Sequence, residues 1–172
     1  GTDPDGDDNA PIILDVTGNK IQDGTPEEQL AARQSLEADY NRGWFVELEH
    51  PGEKCLSTPV VFDGVVYFTT FTPSIDANAG DDPCQSNHPG AGVSRLYAVD
   101  YRTGAAVCDF GGDDKLDKDD RCKKILEDLV SIAPSPKIFI SDRGPKLIVG
   151  PHSEDPKSDL AGVRRFYWKI HE

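Results

Sequence analysis

The residues best suited to chemistry form one acidic segment, residues 109–120, which reads Asp-Phe-Gly-Gly-Asp-Asp-Lys-Leu-Asp-Lys-Asp-Asp. When it is aligned with a twelve-residue calcium loop, Asp109, Asp113, Asp117 and Asp120 occupy positions 1, 5, 9 and 12, and the carbonyl of Lys115 occupies position 7. Calcium takes six to eight oxygen ligands at such spacings. The segment therefore predicts a Ca²⁺ site, and the alternative is a solvated acidic loop.

Three other positions of this loop bear on the prediction. Position 3 is Gly111, which offers no side-chain ligand. Position 6 is Asp114 where such loops usually have glycine, although aspartate tolerates the left-handed conformation better than most residues. Position 8 is Leu116, which we expect to turn into the core as the apolar residue of the loop.

A second acidic run lies at the beginning of the chain, where Asp3, Asp5 and Asp7 alternate. This spacing suits another calcium loop, but its later positions include Pro11 and Leu14, which are poor ligands. The run is therefore more typical of an unstructured acidic terminus.

The four cysteines occupy positions 55, 84, 108 and 122, with no Cys-x-x-Cys pair. Zinc sites usually bring their ligands in such close pairs, so structural zinc is not expected. An even count in a loop-rich chain indicates two disulfides and an oxidising compartment. Three pairings are possible; we predict Cys55–Cys84 and Cys108–Cys122, which join neighbours in the sequence. The alternative is four free thiols in a cytosolic protein.

The motifs of common enzymes are absent from the sequence. The four histidines, at positions 50, 88, 152 and 171, form neither a His-Glu-x-x-His motif nor a pair four residues apart. No Gly-x-Ser-x-Gly elbow, phosphate-binding P-loop or Gly-x-Gly-x-x-Gly fingerprint is present. We therefore expect a protein that is not an enzyme.

Composition restricts the partners. The formal net charge is −13, and nucleic acids and anionic lipids both require a basic face, so neither is expected as a partner. No apolar run approaches the ~20 residues that span a bilayer. The chain begins at Gly1 and contains no Met, which suggests a processed product or an excerpt of a longer protein.

Two regions follow from the pattern of elements: an acidic segment with a helix over residues 1–42, and a β-rich region over residues 43–172. Thr25, Pro26 and Glu28 form a capping box with proline at the first helical position, which predicts a helix over residues 25–41. Its apolar stripe comprises Leu30, Ala31, Leu36 and Tyr40.

The β-rich region contains several short strands. Asp63-Gly64 between residues 59–62 and 65–71 predicts a type I′ hairpin, because glycine accepts positive φ without cost. Other strands are predicted at 11–16, 44–48, 93–100, 105–108, 137–141, 146–149 and 164–170, with a long loop over 72–92, a charged loop over 109–122 and a helical start at 125–132. We expect Asp100 and Thr103 to hold the turn that precedes Gly104. The fold class is mainly β, with antiparallel hairpins and one short α-helix near the N-terminus.

Several motifs in residues 43–140 resemble the C-terminal region of the PilY family, type IV pilus biogenesis proteins with a modified β-propeller. They are Gly-Trp-x-x-x-Leu from Gly43, Gly-Glu-Lys from Gly52, Phe-Thr-Thr-x-x-Pro-Ser from Phe68, Asp-Pro-Cys from Asp82, and Leu-Tyr-Ala-Val-Asp-x-x-Thr-Gly from Leu96. The last of these has the form of a hairpin from a quinoprotein-like propeller blade. Because a propeller needs about four to eight blades of four strands, 172 residues are expected to form only part of one.

The resemblance implies a non-enzymatic protein outside the cell, at the pilus tip or in the assembly machinery, with roles in adhesion and twitching motility. Its partners would be pilins or minor pilins, the remainder of the same propeller, and a host or abiotic surface. Calcium control is known for the family, but residues 109–120 rest on their own spacing. Two alternatives are a fragment of a quinone-dependent dehydrogenase propeller and an unrelated secreted β-domain stabilised by calcium.

Overall fold

The computed structural model describes residues 13–38, 43–73, 92–125 and 132–157. Ten strands and two helices are found there. They are β1 (Leu14–Asp15), α1 (Lys20–Asp23), α2 (Pro26–Ala38), β2 (Trp44–Phe45), β3 (Lys54–Cys55), β4 (Val60–Phe62), β5 (Val65–Pro73), β6 (Gly92–Asp100), β7 (Cys122–Ile125), β8 (Lys137–Ser141), β9 (Gly144–Val149) and β10 (His152–Glu154). A 3₁₀ helix, Asp119–Arg121, precedes β7. The prediction of a mainly β chain is confirmed.

Two antiparallel sheets dominate these residues. The larger has the order β3-β5-β6-β7, and β4 also pairs with β5; the smaller has the order β10-β9-β8. A short parallel pair joins β1 to β2. The described strands do not close into a propeller, so that part of the prediction is not confirmed.

The long pair β5–β6 fixes the register of the larger sheet, running from Val65 opposite Asp100 to Pro73 opposite Gly92. Because side chains alternate between the two faces of a strand, one face carries Val65, Tyr67, Leu96 and Ala98. These side chains pack with Ile125 of β7 and with Ala133, Leu147 and Val149 of the smaller sheet's segment. The core therefore lies between the two sheets.

The predicted hairpin at Asp63-Gly64 is confirmed. Both residues have positive φ, +48° and +79°, as a type I′ turn requires, and β4 pairs with β5 on either side of them. The predicted pair around residues 142–144 is also present as β8 and β9. Strands β3, β7 and β10 were not predicted, and in the case of β7 the surrounding sequence is dominated by charged residues. The predicted strand at 105–108 is reduced to a single bridge between Ala106 and Val99.

Helix α2 begins as predicted. The N–H of Glu28 donates to Thr25 Oγ1 at 3.3 Å, and the N–H of Thr25 donates to the Glu28 carboxylate at 3.0 Å. The helix has no buried residue, however, and Leu30 is 58% exposed, so the predicted apolar stripe is not covered. No helix within the described ranges is long and apolar enough to cross a bilayer.

Contacts cross the predicted boundary between residues 42 and 43. Strand β1 pairs with β2, and the side-chain amide of Gln22 exchanges two hydrogen bonds with the backbone of Ala106, at 2.9 and 3.0 Å. The division into residues 1–42 and 43–172 stays a prediction. The predicted strand at 164–170 and most of the loop at 72–92 lie outside the described residues.

Candidate functional site: the acidic loop and the adjoining sheet

The acidic loop connects the two chain segments that lie beside β6. It follows Ala106, which forms a bridge with Val99, and it ends at the 3₁₀ helix that leads into β7. Gly112 and Asp114 have φ values of +73° and +62°. The expectation that Asp114 accepts the left-handed conformation in place of glycine is therefore confirmed.

Three of the predicted carboxylates converge. Oxygen atoms of Asp109, Asp113 and Asp120 all lie within 4.8 Å of one another. Calcium–oxygen distances are about 2.3–2.6 Å, so two ligands on opposite sides of one ion are about 5 Å apart. The spacing of the three carboxylates is thus compatible with a shared Ca²⁺ ion.

Asp120 anchors this cluster from the inside. Its side chain is buried, and its Oδ1 accepts the N–H groups of Phe110 and Gly111, both at 2.8 Å, while Oδ2 accepts the N–H of Asp117 at 3.2 Å. These bonds tie both ends of the loop to one carboxylate. The loop is therefore held in its folded shape by hydrogen bonds between its own backbone and this carboxylate.

Asp109 organises the exposed side of the loop. Its carboxylate accepts the N–H groups of Gly112 at 2.5 Å, Asp114 at 2.9 Å and Asp113 at 3.3 Å. The bond from Gly112, followed by that from Asp114, lowers the pKa of Asp109 below its usual value. An ionised carboxylate has about four acceptor positions, so three amides leave it able to contact a cation as well.

Asp113 has the most freedom among the three carboxylates. It is exposed, and its Oδ1 accepts the N–H of Lys115 at 3.1 Å. Asp117, by contrast, is not in the cluster, and its Oδ1 accepts the N–H of Asp119 at 2.9 Å. The role of the Lys115 carbonyl as a ligand stays a prediction. The expectation for Leu116 was wrong, because that side chain is 42% exposed and does not enter the core.

The predicted Cys108–Cys122 disulfide is not formed, and both residues are free thiols. Cys108 packs against the core cluster between the two sheets. Cys122 pairs with Tyr97 across β6–β7, on the opposite face of the same sheet. Sequence proximity could not reveal that the two thiols face opposite sides. Cys55 is an exposed thiol, and its predicted partner Cys84 lies outside the described residues.

Sequence reasoning missed a buried carboxylate on that outer face. The side chain of Glu53 is fully buried. Its Oε1 accepts hydrogen bonds from Thr70 Oγ1 at 2.5 Å and Tyr97 OH at 3.2 Å and lies 3.9 Å from Arg95, while its Oε2 lies 2.9 Å from His50 Nδ1. A buried charge is tolerated only when paired and hydrogen-bonded, and Glu53 meets both conditions. The carboxylate joins β3, β5 and β6.

Tyr97 occupies the centre of this outer face. Its ring stacks on Phe68 with centroids 4.7 Å apart. Burial, and next the charge of a Cys122 thiolate, raises the pKa of Tyr97 well above its usual value. The phenol therefore stays protonated and donates to Glu53. Glu53, Thr70 and Tyr97 come from three motifs that lie far apart in the sequence, so only the sheet register brings them together.

The turn after β6 is held as predicted. Asp100 Oδ1 accepts the N–H groups of Arg102 and Thr103, both at 2.9 Å, and also the Thr103 hydroxyl. The indole Nε1 of Trp44 donates to the Tyr101 carbonyl at 3.0 Å. Trp44 lies directly against Gly104, where a Cβ would come within 3.0 Å of the indole ring. The Gly-Trp motif thus packs on the Thr-Gly turn.

Comparison with known proteins gives a partial similarity. No family model and no solved structure matches the chain. The type IV pilus biogenesis factor PilY1 homolog of Xylella fastidiosa is 29% identical over 88 residues. The match covers 48% of this chain and 5% of the length of that protein. The chain is therefore similar, over about half its length, to a small part of a PilY1 homolog, which supports a PilY-like relationship.

Proposed function

We propose that this chain acts as a non-enzymatic part of the type IV pilus system. The observation that carries the proposal is the partial similarity to a pilus biogenesis factor. The proposed location is outside the cell, at the pilus tip or in the assembly machinery. Its partners there would be pilins or minor pilins and the surface to which the bacterium attaches. The proposed roles are pilus biogenesis, adhesion and twitching motility.

The proposed scaffold for this role is part of a quinoprotein-like β-propeller. Strands β4, β5, β6 and β7 are adjacent in that order and antiparallel, which is the arrangement of one four-stranded propeller blade. Strands β8, β9 and β10 form a second antiparallel series, and the core lies between the two. Face-to-face packing of successive sheets is what neighbouring blades require. The remaining blades would come from the same longer protein or from a partner chain.

The pilus role is tested by an in-frame deletion of residues 13–157 in the bacterium that encodes the protein. Pili on the cell surface are counted by electron microscopy, and twitching is measured as the spreading zone. We expect fewer pili or a smaller zone while immunoblots show the shortened protein secreted at its normal level. Normal piliation and twitching with that level of shortened protein would refute the role.

We further propose that residues 109–120 bind Ca²⁺ through the carboxylates of Asp109, Asp113 and Asp120. Three converging carboxylates at a compatible spacing support this, as does the pre-folded backbone of the loop. Carbonyl oxygens and water would complete a shell of six to eight ligands. A bound ion would reduce the mutual repulsion of the three charges and stabilise the loop beside β7. Thermal unfolding of the parent and of Asp113→Asn in Ca²⁺, in Mg²⁺ and in chelator tests this proposal.

A further inference from the structure

Strand β10 lies at one edge of the smaller sheet. The strand order is β10-β9-β8, so β9 covers one side of β10, and no strand of the described ranges covers the other. The uncovered edge is short, because β10 comprises only His152–Glu154. An edge strand presents backbone N–H and C=O groups that can pair with a further strand.

The register shows which backbone groups of β10 face this open edge. Val149 and His152 flank the two-residue turn at 150–151, so they form the first hydrogen-bonded pair of the β9–β10 hairpin. Hydrogen-bonded and non-hydrogen-bonded pairs alternate along an antiparallel ladder. Ser153, opposite Ile148, therefore directs its N–H and C=O away from β9. A strand beside β10 would bond to these two groups.

The larger sheet shows how such a series of strands is completed. β4, β5, β6 and β7 follow one another along the chain as antiparallel neighbours, and the fourth strand pairs with residues 94–97 of the third. β8, β9 and β10 repeat the first three steps of this series. By the same order, the next strand along the chain belongs at the open edge of β10.

The sequence after β10 contains one segment with the pattern of a strand. Residues 164–170 read Arg-Arg-Phe-Tyr-Trp-Lys-Ile. Because side chains of a strand alternate between two faces, one face would be apolar and the other polar. The apolar face would carry Phe166, Trp168 and Ile170, and the polar face Arg165, Tyr167 and Lys169. This pattern is typical of a strand with one buried face.

The connection from β10 to this segment is long enough. The N–H of Lys157 donates to the hydroxyl of Tyr67 at 3.0 Å, which fixes the place where the chain leaves the two sheets. Residues 158–163 can span roughly 20 Å when extended. Neighbouring strands of a sheet are only about 4.8 Å apart, so the chain can return beside β10.

Charge and packing favour the same arrangement. Residues 164–170 carry three positive charges and no negative one, in a chain of net charge −13, so the rest of the protein attracts them. Near β10, Phe110 packs against the core but is only partly buried. Lys123 lies 4.9 Å from the centre of the Phe110 ring and pairs with Glu154 of β10. An apolar strand face beside β10 would extend the core at this end.

We propose that residues 164–170 dock along the open edge of β10 as the fourth antiparallel strand of the smaller sheet, with Phe166 and Trp168 on its core side. The proposal rests on the four-stranded arrangement proposed for the scaffold and on neither the pilus role nor calcium. Piliation and twitching test the pilus role separately, so either proposal can fail without the other.

Hydrogen exchange of the Ser153 amide tests this docking, measured by NMR on the isotope-labelled chain of 172 residues. We expect slow exchange and nuclear Overhauser contacts between the backbone of Ser153 and that of residues 164–170. The Ile148 amide, which faces β8 opposite Lys137, is the reference for an intact sheet. Exchange of Ser153 at the rate of an unstructured peptide would overturn the proposal. So would contacts found only between differently labelled molecules in a mixed sample, because they assign the strand to a second copy.

Two aromatic residues on opposite faces of the proposed strand provide matched variants. Trp168→Ser removes an aromatic ring from the core side, and Tyr167→Ser removes one from the other side. We expect Trp168→Ser to speed the exchange of Ser153 at least roughly tenfold and Tyr167→Ser by less than about twofold, as the loss of one buried aromatic side chain allows. The Ile148 amide should stay slow in both variants. Equal effects of the two variants on Ser153 would contradict the proposed docking.

Discussion

Replacing Asp113 by asparagine separates calcium binding from the folding of the acidic loop. Asp113 is exposed, and its Oδ1 accepts the N–H of Lys115, a hydrogen bond that an asparagine oxygen also accepts. Asp120 would be a poor choice, because its carboxylate accepts three backbone N–H groups. The Asp113→Asn variant therefore changes the charge of the cluster with little change to its backbone.

The expected size of the calcium effect follows from mass action. A site with a dissociation constant of about 10⁻⁴ M, in the range of extracellular calcium modules, gains about 2.7 kcal/mol at 10 mM Ca²⁺. For a chain of this length, that gain raises the melting temperature by roughly 5–11 °C. If Asp113→Asn weakens binding about tenfold, the gain falls to about 1.4 kcal/mol and roughly 3–6 °C.

In chelator, the effect of Asp113→Asn on stability should reverse its sign. The oxygen atoms of the three carboxylates lie within 4.8 Å of one another, and two like charges at that distance repel by about 1 kcal/mol even in water. Removing the charge of Asp113 relieves this repulsion, so we expect the variant to be as stable as the parent or slightly more stable without metal. An effect of opposite sign in Ca²⁺ and in chelator is the signature of a ligand rather than of a structural residue.

The assay is thermal unfolding followed by circular dichroism, in 10 mM CaCl₂, in 10 mM MgCl₂ and in chelator. Asp142→Asn serves as the charge-matched control, since Asp142 is exposed in the turn between β8 and β9 and is not in the cluster. It should respond to Ca²⁺ like the parent. An unchanged melting temperature of the parent in Ca²⁺ relative to Mg²⁺ would refute the site, as would equal calcium responses of the two variants.

Three further predictions concern the sheet and its turns. Gly104→Ala should lower the free energy of unfolding in urea by about 2–4 kcal/mol, because its φ is +66° and a Cβ would press on Val16 at 2.8 Å and on Trp44 at 3.0 Å. Cys108 and Cys122 should react slowly with a thiol reagent in the native protein and appear as free thiols by mass, because burial raises the pKa of both. Burial raises the pKa of Tyr67 from 10.0 to about 12. The protonated phenol therefore contributes fully to the free energy of unfolding below pH 10, and this contribution is lost as the pH rises toward 12. The stability difference between the parent and Tyr67→Phe should therefore shrink by about 1–2 kcal/mol over that interval, as measured by urea unfolding.

Each of these predictions has an internal comparison. Gly112→Ala meets no atom within 4 Å at φ +73°, so it should cost only the left-handed conformation, about 1–2 kcal/mol. Equal losses at both glycines would contradict the close contacts of Gly104 with Val16 and Trp44. The exposed thiol of Cys55 should react first. A Cys108–Cys122 disulfide in peptide mapping would contradict the placement of the two thiols on opposite faces of the sheet. A stability difference between the parent and Tyr67→Phe that stays constant from pH 10 to pH 12 would contradict the burial of a protonated Tyr67.

The features that could be predicted from the sequence are those decided within a few residues. The turn at Asp63-Gly64, the capping box at Thr25 and the bonds of Asp100 each follow from short-range chemistry. The loop was predicted to bring together four aspartates, and Asp109, Asp113 and Asp120 do converge, whereas Asp117 does not. Local hydrogen bonding was sufficient in each case, without knowledge of the sheet.

The features that were missed depend on pairing between distant segments. Glu53 lies in a stretch that reads as a polar turn, and it becomes buried only because β3 lies beside Thr70 and β6 brings Tyr97. The pairing of Cys108 with Cys122 failed for the same reason, since strand register decides which face a side chain occupies. Neither the burial of Glu53 nor the face on which each thiol lies is determined by the neighbouring residues in the sequence.

The 3₁₀ helix explains how the acidic loop, the N-terminal segment and the sheet are joined. Such a helix has about three residues per turn, so successive side chains point in different directions. Asp120 points into the acidic loop, and Arg121 donates to the carbonyls of Val16 and Thr17. Cys122, the next residue, begins β7 opposite Tyr97. Because these contacts leave from consecutive residues, a cation that tightens the loop would also restrain the N-terminal segment and the outer face of the sheet.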